Sequence, residues 1–95
     1  NGTQSTALGA RSTASGTSST AIGESSSATA QSATALGAGS TAGFSNSTAI
    51  GAGAATTRTN QMMLGTSTTT YTAPGITSAA SLAAQSGSTV FVTSD

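Results

Sequence analysis

Few side chains in this chain could do chemistry. The formally charged ones are Arg11, Glu24, Arg58 and Asp95, and there is neither His nor Cys. Paired-carboxylate catalysis needs its two acids within ~10 Å of each other, and Glu24 and Asp95 lie far apart in the sequence. Hydroxyl nucleophiles abound, but a Ser or Thr needs a neighbouring base, and no His or Lys is present to serve. Without Cys there is no thiolate, disulfide or Cys-type metal site, and without His the commonest metal ligand is missing. The expectation is a protein that is not an enzyme and uses no cofactor and no metal. Gly37-Ala38-Gly39 and Gly51-Ala52-Gly53 are turn chemistry, because no phosphate-binding Lys follows them. The chain has no basic run and no apolar stretch near the ~20 residues of a membrane span, so neither nucleic acid nor membrane contact by these residues is expected.

Whatever this chain does must therefore come from how its elements are arranged. Ser, Thr, Ala and Gly make up 69 of 95 residues, too small and polar a set for an ordinary globular core. A disordered tract of this kind is usually charged or rich in Pro, whereas here charged residues are 4% and Pro74 stands alone. The remaining option is a repetitive fold that packs small side chains. Aligned on itself at a spacing of 14, the chain falls into one register. Gly9, Gly23, Gly37, Gly51 and Gly65 share a column, preceded by Leu8, Ile22, Leu36, Ile50 and Leu64. Before those stand Ala7, Ala21, Ala35 and Ala49, then Thr6, Thr20, Thr34 and Thr48, with Met63 and Met62 replacing the last Ala and Thr. Of seven Leu and Ile residues, the five before position 70 all occupy the one column. A second, looser column holds Ala14, Ala28 and Ala42, then Thr56.

Fourteen residues are too few for a helical repeat unit, but they suffice for two short strands, each ended by a tight turn. Stacked units give parallel strands ~4.8 Å apart, with backbone groups bonded to the coils above and below. The fold class expected is all-β, a parallel β-roll or thin solenoid of 14-residue coils. Side chains alternate along a strand, and a two-strand coil has no room inside for large ones. Ser5, Ala7 and Gly9 should therefore point inwards and Thr6 and Leu8 outwards, with their equivalents in every coil following. The outcome is an outer ladder of Leu and Ile beside a ladder of Thr, and a continuous apolar stripe of this kind marks an interface.

Ser19-Thr20-Ala21-Ile22-Gly23 and Asn46-Ser47-Thr48-Ala49-Ile50-Gly51 resemble the Asn-Ser-x-Ala-Ile-Gly signature of YadA-like heads, the trimeric autotransporter adhesins. The resemblance spans residues 1–66. It implies a left-handed parallel β-roll in a homotrimer, with Thr6, Leu8, Thr20, Ile22, Thr34, Leu36, Thr48, Ile50 and Leu64 at the trimer interface. It also implies a bacterial cell-surface location, anchored in the outer membrane by a C-terminal region outside this sequence. The implied partners are host extracellular-matrix proteins or cell-surface ligands, and the implied function is adhesion to host matrix, cell or abiotic surfaces. Two other readings share the repeat: an ice-binding β-solenoid, using its ranks of Thr, and a trimeric phage fibre segment.

Residues 67–95 depart from the repeat and are expected to form a short neck-like connector towards a stalk. Tyr71-Thr72-Ala73-Pro74-Gly75 carries turn signals, residues 77–84 could form a short helix capped by Thr77, and residues 88–93 alternate like a strand. Tyr71 and Phe91 are expected to be packing anchors there. Arg11 and Glu24, two and one places after their coil Gly, are expected to form a surface ion pair. Phe44 and Arg58 share a column with Gly16 and Ala30, which is expected to be an exposed outer turn tolerant of any size. Asn1-Gly2-Thr3 and Asn46-Ser47-Thr48 fit the glycosylation acceptor pattern, but in this repeat the Asn is read as a turn residue.

Overall fold

The computed structural model describes residues 2–72. The helix, strand and Phe91 expected between residues 77 and 93 lie outside them. Among the described residues the chain is all-β, a parallel β-solenoid of about four turns with no helix. Eight short strands alternate between two sheets. One sheet contains β1 (Thr6–Leu8), β3 (Thr20–Ile22), β5 (Thr34–Leu36), β7 (Thr48–Ile50) and β8 (Met62–Leu64). The other contains β2 (Thr13–Ala14), β4 (Ser27–Ala28) and β6 (Thr41–Ala42). Every pairing is parallel and offset by 14, as in Thr20↔Thr34, Ala21↔Ala35 and Ile22↔Leu36. The register read from the sequence is the register of the fold.

The interior is made of Ala and Ser. Ala14, Ala21, Ala28, Ala33, Ala35, Ala42, Ala49 and Ala54 are buried, with Ser19, Ser26, Ser40 and Ser47 the largest fully buried side chains. Ala7 occupies the same inward column but is exposed, because β1 is the edge strand of its sheet. At the other edge Met63 replaces the inward Ala and packs half-buried against the core, a size that the end of a stack can admit.

The turns reveal a period that the 14-residue alignment only hinted at. Positive φ recurs every seven residues, at Gln4, Arg11, Ser18, Ser25, Ser32, Gly39, Asn46, Gly53 and Asn60. Each coil is thus two similar half-coils, one strand and one turn each. The backbone N–H of the left-handed residue reaches the preceding coil, as in Ser32 to Thr17 O at 2.8 Å and Gly39 to Glu24 O at 2.9 Å. The next residue points inwards, and where it is Ser, Ser19 excepted, its hydroxyl donates back to the carbonyl three residues earlier. Ser26 Oγ reaches Gly23 O and Ser40 Oγ reaches Gly37 O, both at 2.8 Å. Most buried hydroxyls are thereby satisfied inside their own turn, Ser19 Oγ being buried without a partner.

The Gly column serves close approach. A Cβ built on Gly23 or Gly37 would lie 2.7 Å from the carbonyl carbon of the next Gly along the stack. The column of Gly16, Ala30, Phe44 and Arg58 does not tolerate any size throughout, which corrects the expectation above. At Gly16 a Cβ would stand 2.0 Å from Ala30 O, so the early coils admit only Gly, whereas Phe44 and Arg58 stand exposed later in the stack.

Candidate functional site

Two surfaces carry all the chemical variety that the roll has, the outer face of the five-stranded sheet and the two turn edges. On that sheet face, β1, β3, β5, β7 and β8 present Leu8, Ile22, Leu36, Ile50 and Leu64 as one ladder in register. Leu8 is 64% exposed, Leu36 41%, Ile50 36% and Leu64 46%, while Ile22 is half-buried. Beside it runs the hydroxyl ladder of Thr6, Thr20, Thr34 and Thr48, ending in Met62, itself 64% exposed. Isolated exposed aliphatics are ordinary on a protein surface, but five stacked in line are not. Alternation sends them outwards because Ala and Ser fill the interior, and no other described residue covers them.

The opposite face is chemically different. The equivalent outward positions of the three-stranded sheet and its continuation hold Thr13, Ser15, Ser27, Thr29, Thr41, Gly43, Ala55 and Thr57. The roll therefore has one apolar face and one hydroxyl face, set by alternate heptads of the same pattern.

At the edge leaving the apolar sheet, Arg11 donates to Glu24 across neighbouring coils, the surface ion pair expected from sequence. Ser25 Oγ also donates to Glu24, at 2.5 Å. The Ser25 bond, and after it Arg11, holds the Glu24 carboxyl below its usual range. Both charged side chains are solvated, so the pair contributes little to stability. Among the described residues no group of three His, Cys, Asp or Glu side chains could hold a metal ion.

At the other edge, entering the apolar sheet, Phe44 and Arg58 stand in one column of consecutive coils, both exposed. Asn46, in the same triplet as Ser47 and Thr48, has φ 57°, so it does supply a turn. Gln61 replaces the usual inward Ser. Its Oε1 accepts from the Thr57 backbone N–H at 2.6 Å and fastens the turn that carries Arg58.

Two copies of the YadA head domain repeat match the sequence, over residues 1–26 and 28–54. The chain belongs to the YadA head family. The match runs from the first coil past β7, so every column of the YadA-type repeat lies inside it, while β8 with Met62 and Met63 lies beyond. No curated protein matches the chain. It is an adhesin-type head domain. Within this head the nine residues picked out from sequence, from Thr6 to Leu64, do lie together on one face. Sequence reasoning missed the inward Ser as closer of its own turn. The signal was present in the heptad spacing of Ser5, Ser12, Ser19, Ser26, Ser40 and Ser47.

Proposed function

We propose that this YadA-type head is the ligand-binding tip of a homotrimeric adhesin on the bacterial cell surface. Three rolls pack through the face bearing Leu8, Ile22, Leu36, Ile50 and Leu64, with Thr6, Thr20, Thr34 and Thr48 beside them. The hydroxyl faces and turn edges are left outside, where they meet host extracellular-matrix proteins or cell surfaces. Residues 67–95 lead towards a stalk, and anchoring in the outer membrane belongs to another part of the protein. The head binds rather than catalyses, holding its ligand over a broad surface with affinity raised by threefold multivalency.

The observation that carries this reading is the in-register apolar ladder on a roll whose interior is almost wholly Ala and Ser. Burying such a ladder gains ~25 cal/mol for each Å2 of apolar surface removed from water, and a core of small side chains leaves the fold in need of that gain. Light scattering tests it, on the chain alone and with a trimerising coiled coil fused after Asp95. Trimeric, cooperatively melting rolls are expected in the fusion, and Leu36→Ser should lower its melting temperature. A folded monomer showing thermal hysteresis would overturn the trimer and favour the ice-binding solenoid.

A further inference from the structure

The surface of the roll is monotonous except at one place. Among the described residues, Phe44, Arg58, Gln31, Asn46 and Asn60 all gather on the edge that enters the apolar sheet, on consecutive turns. Elsewhere on the coils the outward positions are Ser, Thr, Ala and Gly, apart from the apolar ladder, Met62 and the Arg11–Glu24 pair; after the last coil Tyr71 is also exposed. The opposite edge of the same later coils holds Ala38-Gly39 and Ala52-Gly53, with no functional group at all.

From this cluster we infer that Phe44 and Arg58 form a binding site for an acidic saccharide, one bearing carboxylate or sulfate groups. The inference rests on the adhesin reading above and names the chemistry of its ligand. Phe44 is 41% exposed, an aromatic face open to the C–H side of a sugar ring. Arg58 stands one coil further along the same column, about 4.8 Å away along the stack. Its guanidinium presents a planar fork of donors suited to carboxylate or sulfate. Among the described residues the one acid, Glu24, is already engaged by Arg11 on the opposite edge.

The backbone under the site is fixed before any ligand arrives. Gln61 Oε1 accepts from Thr57 N–H at 2.6 Å, and Asn60 N–H reaches Ser45 O at 3.1 Å. Asn46 N–H reaches Gln31 O at 3.0 Å, and Ser47 Oγ closes its turn on Phe44 O at 2.6 Å. Asn46 and Asn60 are exposed on the same turns, and their side-chain amides add donors and acceptors that sugar hydroxyls can meet. Phe44 also lies at the end of the turn next to the hydroxyl sheet, before β7 begins at Thr48. Packing through the apolar face therefore leaves it open, and three copies line a trimer.

The test uses the chain joined after Asp95 through a flexible linker to a trimerising coiled coil. Binding is measured by calorimetry to a heparin hexasaccharide, a hyaluronan hexasaccharide and a neutral dextran oligosaccharide. The first two separate sulfate from carboxylate as the favoured anion, and the site predicts binding to at least one of them and none to dextran. Arg58→Gln and Phe44→Ala should each weaken binding by about three- to fivefold per site. Arg11→Gln makes the same change in net charge at the other edge and should leave affinity unchanged. Equal losses for Arg11→Gln and Arg58→Gln would reduce the effect to bulk charge and overturn the site, as would dextran binding as tightly as the acidic sugars. If no saccharide binds but the trimer still adheres to matrix-coated plates, the inference fails and the adhesin reading stands. If adhesion is also absent, both fail.

Discussion

Replacing Gly37 with Ala probes what holds the coils together, and its cost can be worked from the geometry. Gly37 has φ +130°, a conformation that L side chains rarely adopt, and forcing a residue into such a region costs about 1–3 kcal/mol. The new Cβ would also stand 2.7 Å from Gly51 C, 2.8 Å from Gly51 O and 3.0 Å from Ala52 N, all backbone atoms of the next coil. Restoring ordinary contact requires the coils to part there by about 0.7 Å. Two bonds flank the point of contact, Gly51 N–H to Leu36 O at 2.8 Å and Gly53 N–H to Ala38 O at 2.9 Å. Stretched by that amount, both reach about 3.5 Å and cease to count as hydrogen bonds. At about 1 kcal/mol each, their loss brings the total to about 3–5 kcal/mol, a large part of the roughly 5–15 kcal/mol that holds a typical domain folded. Gly39→Ala is the matched control. Gly39 has φ +71°, and a Cβ added there would meet nothing within 4 Å. Arg11 and Ser25 already occupy its column, so the substitution should cost only about 1 kcal/mol. Urea unfolding of the coiled-coil fusion reads both. Equal destabilisation by the two substitutions would refute stacking contact as the reason for the Gly column.

Three further outcomes follow from the same geometry. Ser40→Ala should destabilise by about 1 kcal/mol, since Ser40 Oγ is bonded to Gly37 O, whereas Ser19→Ala should be neutral or stabilising, because Ser19 Oγ is buried without a partner; thermal melts of both variants decide it. Ala35→Leu should cost about 1–3 kcal/mol through overpacking, because Ala35 is wholly buried between coils, and it should expose apolar surface detectable by dye binding. The Glu24 carboxyl should titrate below an ordinary Glu by NMR, and Ser25→Ala should raise its pKa more than Arg11→Gln does. Because the folded pKa is depressed, any stability that Glu24 contributes is present above its unfolded pKa of about 4.3 and is lost as pH falls through the lower folded value.

The ladders of this fold were legible because each outward or inward position is held by one kind of residue. Leu or Ile recurs at the same outward place in each coil, and Ala or Ser fits best between two strands of so thin a roll, so both columns stay nearly uniform and an alignment finds them. Of the left-handed turn residues, Asn46, Gly39 and Gly53 were legible as turn formers and the rest were not. Gln4, Arg11 and Ser18 share their backbone conformation but no side-chain type, because the demand there falls on φ and on an N–H aimed at the preceding coil. The Phe44 column misled for a related reason. It looked permissive because it holds Gly, Ala, Phe and Arg in turn, yet at Gly16 the next coil's carbonyl fills the space of a Cβ. Variation along a column can mean that the backbone changes from coil to coil, and sequence alone does not separate that from free space.

The heptad periodicity also explains why one face, and not both, is apolar. Each half-coil offers one outward position just after its inward Ala, and along the chain these read Leu8, Ser15, Ile22, Thr29, Leu36, Gly43, Ile50, Thr57 and Leu64. The fold itself would accept an aliphatic at every one, since the interior of Ala and Ser is the same on either side. A roll apolar on both faces would have two interfaces and could stack sideways without limit, the open assembly that heterologous contacts generate. Placing Ser, Thr or Gly in every second position leaves a single apolar ladder, on one face of the roll. On the trimeric reading proposed above, the choice between a fibre and a closed assembly rests on one residue per coil, at an outward position that takes no part in filling the interior.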